Sequence, residues 1–371
     1  MATTSCPRSS TPRIIQWFID TRPLWPVPKQ ANARDEVSHL KTIASEELSL
    51  LSESEQSSVL RYYHIRDAKT KLASHLLKHY FVTLFSPSLP WADSIISQET
   101  NGKPFYQSSC PERRLDFNVS HQAGLVSLIG AVGFEGEREV GTDIVCVGER
   151  EKIDCEYIDR EGLFRWIDMH AEVFSESELS EMRLGSLPLS TLLPSSATEI
   201  GTEEGVEIGG FARDKIARCQ RRDQEVSIRV EGVEGGGRDV VLKGEDVVRA
   251  KVRRFYAFWC LREAYVKMTG EALAAPWLKQ LEILGVRAPE PGNPSETEGD
   301  LKEGETVKDF RIAFKEKQVT DVKMELSALG SQYMIAGAMR IPKESGHGEV
   351  QMGAWAKLDL RDILDLAAHR R

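Results

Sequence analysis

Val140-Gly-Thr-Asp-Ile-Val145 and Trp259-Cys-Leu-Arg-Glu-Ala-Tyr-Val-Lys267 are the two stretches from which the architecture of this chain can be worked out. Asp143 stands in a run of β-formers, and Glu263 stands in an aromatic, apolar helix. A bare carboxylate in such surroundings costs several kcal/mol unless a cation or strong donors compensate it. The economical reading is that a strand and a long helix, far apart in the chain, converge on one bound metal ion.

The helix is expected over residues 246–270, with Asp246 as N-cap and Gly270 just past its end. Val252, Phe255, Phe258, Trp259, Leu261, Tyr265, Val266 and Met268 make it apolar nearly all round, so it is central and buried. Phe255, Trp259, Glu263 and Lys267 step by four and share one stripe. The bland reading is a surface Glu–Lys pair worth a few tenths of a kcal/mol. The functional one places Glu263 on a cation, with Lys267 facing the same cleft. Alternation puts Gly141, Asp143 and Val145 on one strand face. Gly141 would then admit close approach of backbone and ligand, whereas the bland reading of Asp143 is the end of a strand and a turn cap. Oxygen ligands without Cys or His favour magnesium, which takes one or two carboxylates plus substrate phosphates and waters.

The rest of the chain narrows the class. Its 371 residues allow one or two domains with real cores. A net charge of −9 argues against a nucleic-acid binder that works by neutralising phosphates. No apolar run is long enough for a membrane span, and residues 1–10 lack the apolar core of a secretory signal. The six cysteines are scattered with no C-x-x-C pair, so reduced cytosolic thiols are expected; the protein is also expected to be a monomer. His75 and His79 are four apart on a helical pattern, but with no third ligand nearby zinc is not expected there.

The fold class expected is α+β. Strands are read at 14–19, 116–119, 126–132, 140–145, 281–284, 310–314 and 333–341, and helices at 57–84, 161–174, 175–182, 246–270 and 359–368. Arg66-Asp-Ala-Lys-Thr-Lys71 echoes Arg262-Glu-Ala-Tyr-Val-Lys267, and residues 126–132 echo 333–339. Two matched pairs in the same order suggest a duplicated α+β unit: an N-terminal half over 11–139 and a C-terminal half over 140–345. A C-terminal extension with a helix follows over 346–371. Residues 185–245 and 287–307 are rich in Ser, Thr, Gly, Pro and Glu and read as insertions unable to order firmly.

Other motifs add less alone. Phe117-Asn-Val-Ser-His-Gln122 ends a strand. Ser120 and His121 point apart there, so they are no nucleophile–base pair; a hydroxyl, an amide and an imidazole suit phosphate oxygens better. Asn101-Gly-Lys-Pro104 is first a turn. No Walker A, dinucleotide fingerprint, kinase signature or G-x-S-x-G elbow is present.

Taken in order, Asn101-Gly-Lys-Pro104, Phe117-Asn-Val-Ser-His121, Val140-Gly-Thr-Asp-Ile144 and Trp259–Lys267 resemble the Sfp-type 4′-phosphopantetheinyl transferases, over roughly 45–182 and 246–341. Gly141-Thr-Asp-Ile-Val145 and the long insertion look most like the large fungal-type members. The resemblance implies two similar α+β halves related by a pseudo-twofold, with coenzyme A between them. It implies transfer of the 4′-phosphopantetheine arm of coenzyme A to a serine of an apo carrier protein, leaving adenosine 3′,5′-bisphosphate. Asp143 and Glu263 match the family's magnesium ligands. Lys267 matches a pyrophosphate contact, and either it or Glu263 serves as the base. Ser120 and His121, with Asn118 beside them, match phosphate binders, and Lys103 matches the lysine flanking the adenine and its 3′-phosphate. Arg61, Arg66 and Lys71 lie where the family places further basic groups, and Phe174 and Glu178 match its F-x-x-x-E element. Val145 stands where bacterial members carry a second carboxylate, so magnesium would keep an extra water. The carrier is expected to be acidic and helical, with Arg249–Arg254 and Arg218–Arg222 as candidate docking runs. A different magnesium-dependent transferase of phosphorylated nucleotides, or a non-enzymatic protein on the same fold, are the alternatives.

Overall fold

The structure, a computed structural model, describes residues 11–99, 102–107, 114–134, 136–188, 192, 210–231, 237–271, 275–292, 301–341 and 350–371. Strand β1 (Arg13–Asp20) leads to helices α1 (Ala33–Ile43), α2 (Ser45–Ser49), α3 (Glu53–Leu60) and α4 (Ile65–Phe85), a small hairpin of β2 (Ile96–Gln98) and β3 (Pro104–Tyr106), then β4 (Asp116–Gln122) and β5 (Leu125–Val132). The pattern restarts with β6 (Val140–Cys146), followed by α5 (Glu151–Glu161), α6 (Leu163–Asp168), α7 (Glu176–Leu184), α8 (Gly210–Arg218), β7 (Glu225–Glu231) and β8 (Gly237–Lys243). The long helix α9 (Gly244–Thr269) precedes β9 (Leu281–Leu284), β10 (Glu303–Val307), β11 (Arg311–Phe314), β12 (Lys317–Gln318), β13 (Val322–Leu329) and β14 (Tyr333–Arg340). The tail adds β15 (Ala356–Lys357) and α10 (Leu360–His369).

Two four-stranded sheets carry the architecture, in the orders β15-β1-β5-β4 and β10-β13-β14-β6. Within each, strand one pairs antiparallel with strand three, and three with two: β1-β5-β4 in the first, β6-β14-β13 in the second. The buried helices α4 and α9 occupy the same place in each series, between its first and second strands. The sequence echoes fall on α4 and α9, and on β5 and β14. The sheets pack face to face through Phe18, Leu125, Ile129, Ile144, Ile335 and Met339. The outer face of the first sheet packs on α4 through Leu128 and Phe81, and that of the second on α9 through Met334 and Leu261. Alternation along each strand supplies both faces with apolar side chains, which is why β5 and β6 are buried throughout.

Gly141 seats α9 on β6. A Cβ there would lie 2.2 Å from the Ala264 carbonyl oxygen and 2.3 Å from the Met268 amide nitrogen. The close approach is therefore to the helix backbone, not to a ligand as the strand pattern suggested. Gly141→Ala is expected to lower the unfolding free energy by about 1–3 kcal/mol through overpacking against backbone that cannot swing aside. The change would register as a lower urea midpoint at unchanged slope; an unmoved midpoint would show the helix to be loosely seated.

Several expectations change. The helix read over 57–84 is two helices: Ser52 and Glu55 form a capping box at the start of α3, and α4 begins afresh at Ile65. Helix α9 starts from Lys243 without a side-chain cap, and Asp246 sits in its first turn beside Glu245, where both suit the helix dipole. Gly270 ends it in the left-handed region at φ 76°. The 185–245 stretch does build structure: α8 and the β7–β8 hairpin bury Leu192, Ala212, Ile216, Cys219, Val226, Ile228 and Leu242 with Val247 of α9. Likewise Glu303–Val307 of the second supposed insertion is an edge strand on β13. The remainder of both, at 189–191, 193–209, 232–236 and 293–300, lies outside the described residues. The tail is no separate extension: β15 pairs parallel with β1, and Ile363 and Ala367 of α10 join the α4 core.

Candidate active site

Edge strands β4 and β6 of the two sheets lie side by side, and α9 runs along β6. Asp143 is buried at this seam, 6 % exposed. Its Oδ1 accepts from Ser120 Oγ at 2.9 Å and from Lys267 Nζ at 2.5 Å, and the same ammonium donates to Ser120 Oγ at 2.8 Å. Lys267 thus bonds across to the strand. Its expected neighbour Glu263, one turn back on α9, shares the electrostatic environment instead.

The charges explain one another. Glu263 is pushed up to about 6, first by burial and then by the Asp143 charge, against the pull of Lys267. Burial acts to lower Lys267, but Asp143, aided by Glu263, more than offsets it and holds the ammonium charged. A Glu263 carboxyl that feels the Asp143 charge, with one lysine between the segments, suits a divalent cation. Among the described residues no group of three or more His, Cys, Asp or Glu could hold a metal ion by itself. Asp143 and Glu263 offer carboxylate oxygens with no sulfur or imidazole donor, a set that fits magnesium better than a closed structural site. Val145 points into the α9 core and offers no ligand.

The other anticipated residues gather unevenly. The His121 side chain reaches the surface, yet desolvation by the protein around it, then Lys267 and Lys71, push its pKa down. Burial, then Arg61, lowers Lys71. Lys103 Nζ reaches the Met268 carbonyl at 3.4 Å, at the C-terminal end of α9. Lys71 and Lys103 thus add positive charge near the seam. Arg66 instead pairs with Glu149 at 2.8 Å, and Asn118 is buried with its Oδ1 on the Thr142 amide at 3.1 Å.

Glu178 closes a capping box with Ser175 and meets Arg262, both side chains being fully buried. Arg262 also bonds the Leu278 and Leu281 carbonyls and lies under the Phe174 ring. The F-x-x-x-E element thus anchors the turn of α9 that bears Glu263.

Other partners were not foreseen. Cys260 Sγ supports the Asp143 carbonyl at 3.5 Å. His75 and His79 do have a third partner: both bond Glu55 Oε1 at 3.0 Å, and these hydrogen bonds outweigh burial and hold the Glu55 carboxyl well below the usual range. Parts of both candidate docking runs are engaged by the protein itself. Lys251, pushed down to about 8 by burial, donates to the carbonyls of Arg183, Ala217 and Cys219. Arg254 holds those of Glu181, Met182, Gly185 and Ser186. Arg249 pairs with Glu245 and Asp246, and Arg222 with Asp159.

Comparison with known proteins agrees with this architecture. Residues 41–133 match the family model described as 4′-phosphopantetheinyl transferase, N-terminal. The chain is 38 % identical over 362 residues to a 4′-phosphopantetheinyl transferase of Aureobasidium melanogenum, covering 95 % of this chain and 97 % of that protein. It is 35 % identical over 356 residues to 4′-phosphopantetheinyl transferase 1 of Fusarium mangiferae, covering 96 % and 95 %. A more distant relative, the L-aminoadipate-semialdehyde dehydrogenase-phosphopantetheinyl transferase of Schizosaccharomyces pombe, is 29 % identical over 230 residues, covering 58 % of this chain and 80 % of its own.

Proposed function

From the premise that this chain belongs to the 4′-phosphopantetheinyl transferases and transfers phosphopantetheine to carrier proteins, we propose that the seam between its halves is where coenzyme A is held and the arm leaves it. One observation carries the reading: Lys267 of α9, Ser120 of β4 and Asp143 of β6 meet within 3 Å, with Glu263 alongside. Asp143 and Glu263 would hold magnesium, which when bound neutralises pyrophosphate oxygens and the charge growing on the leaving phosphate.

The remaining roles follow from the side chains. Lys267 stays an ammonium beside Asp143, so it contacts the pyrophosphate as a cation and is not the base. That leaves the Glu263 carboxylate as the acceptor for the carrier serine proton. The serine oxygen bonds to phosphorus as the bond to the bridging oxygen breaks, and adenosine 3′,5′-bisphosphate departs. Ser120, His121, Lys71 and Lys103 face the nucleotide phosphates, and Arg61 adds charge at that end. Arg66 is a weaker member because Glu149 already engages it. Both sides of the site come from one chain, so the enzyme is taken to act as a monomer. Its free thiols Cys146, Cys155, Cys219 and Cys260 suit the cytosol.

Incubation with coenzyme A, magnesium and an apo carrier should add the mass of one phosphopantetheine to the carrier. A chelator should abolish the gain and excess magnesium restore it. Undiminished transfer in chelator would end the metal assignment. Running the assay across apo carriers of fatty-acid, polyketide, peptide and aminoadipate-reducing systems would define the targets.

A further inference from the structure

Strand β4 is hydrogen-bonded along its backbone to β5, and β6 to β14. The two edges facing each other are closed by side chains. Alternate residues of β4 project from one face, and three in succession reach β6. Asn118 Oδ1 accepts the Thr142 amide at 3.1 Å, and Gln122 Oε1 accepts the Cys146 amide at 3.3 Å. Between them Ser120 donates to Asp143 Oδ1 at 2.9 Å. An outward-facing amide on an edge strand otherwise needs water. Thr142 is fully buried and Asn118 is 5 % exposed, so without the Asn118 oxygen that donor would be orphaned. Thr142 Oγ1 adds a contact to Ser127 Oγ at 3.2 Å. At the far end Gln122 Nε2 donates to Glu149 Oε2 at 2.7 Å, the carboxylate that also takes Arg66.

The two amide side chains grip β6 on either side of Asp143. We propose that Asn118 and Gln122 are positioning residues: they set the register between the halves and so aim the Asp143 carboxylate at Lys267 and Glu263. Asn118, expected beside the phosphates of coenzyme A, has its acceptor oxygen engaged by β6. The inference rests on the reading of Asp143 as a metal-binding carboxylate. An ångström of misplacement at such a centre costs up to about 10²-fold in rate.

The test compares Asn118→Ala, Asn118→Asp, Gln122→Leu and Asp143→Ala by steady-state kinetics, thermal melting, and calorimetry of coenzyme A binding in chelator. Asn118→Ala should lose about 10- to 100-fold in kcat. Its coenzyme A Kd in chelator should move less than about threefold, since ground-state binding is untouched. The magnesium concentration for half-activity should rise. Asn118→Asp, which keeps an acceptor oxygen against Thr142, should recover most of the rate. Gln122→Leu should lower kcat in the same sense, and it carries the test if Asn118→Ala does not fold. A tenfold weaker coenzyme A Kd with kcat intact would make Asn118 a ligand contact and overturn the proposal. So would a fall in melting temperature alone, with kcat unchanged. Wild-type activity in Asp143→Ala would instead overturn the site reading on which the proposal stands.

Discussion

Asp143→Ala and Glu263→Ala are each expected to lower kcat by about 10²–10³-fold, the range seen when one electrostatic stabiliser of a transition state is removed. On the proposed reading, both side chains sit where charge must be neutralised as the phosphoanhydride opens. The loss should therefore fall on kcat more than on the KM for coenzyme A. Asp143→Asn is the sharper probe. It keeps the shape and an oxygen for Ser120 and Lys267, yet it lacks the negative charge, so it should remain nearly as inactive as alanine. Because the two carboxylates serve one centre, the double variant should cost little more than either single one. Single-turnover transfer to an apo carrier measures all four. An Asn variant at the wild-type rate would show that Asp143 acts by hydrogen bonding alone.

Glu178→Ala should be the most destabilising single change outside the reacting centre, by about 3–5 kcal/mol, because it strands a buried guanidinium. Arg262 and Glu178 are both fully buried, and the carboxylate also accepts the Ile283 and Ser175 amides. One truncation thus orphans three donors. Glu178→Gln keeps part of that bonding and should cost less. Because Arg262 precedes Glu263, any native fraction of the alanine variant should also be slow. Urea unfolding measures the effect; a loss below about 1 kcal/mol, the worth of an exposed pair, would show that solvent reaches the site.

Periodicity and motif order made the centre of the molecule legible. The stripe of Phe255, Trp259, Glu263 and Lys267 located α9, and the paired echoes located the repeat, because both are regularities of side chains along the chain. What stayed hidden depends on partners that any residue could supply. Lys251 and Arg254 bind backbone carbonyls, which leave no mark in a sequence, so their run looked like a basic surface. Glu55 stands 20 and 24 residues from the histidines it joins, and only the packing of α3 on α4 brings it there. Val226, Ile228, Val240 and Leu242 alternate as a hairpin should, but the surrounding Gly and Glu masked them. How the seam is closed was unreadable, since nothing along the chain marks that Asn118 and Gln122 reach a second edge strand.

The return of the tail to β1 has a topological consequence. Leu358 donates its amide to Phe18, and the Trp91 amide donates to the Arg370 carbonyl, so the last residues are fastened to the unit in which the chain began. The polypeptide therefore passes from one unit to the other twice, once between β5 and β6 and again between β14 and β15. Cutting either passage leaves the other as a covalent leash, which keeps the separated pieces at millimolar effective concentration. A singly nicked enzyme should accordingly elute as one particle and still modify its carrier, whereas two nicks, one in each passage, would leave only non-covalent contacts, the buried face between the sheets chief among them, to prevent its dissociation.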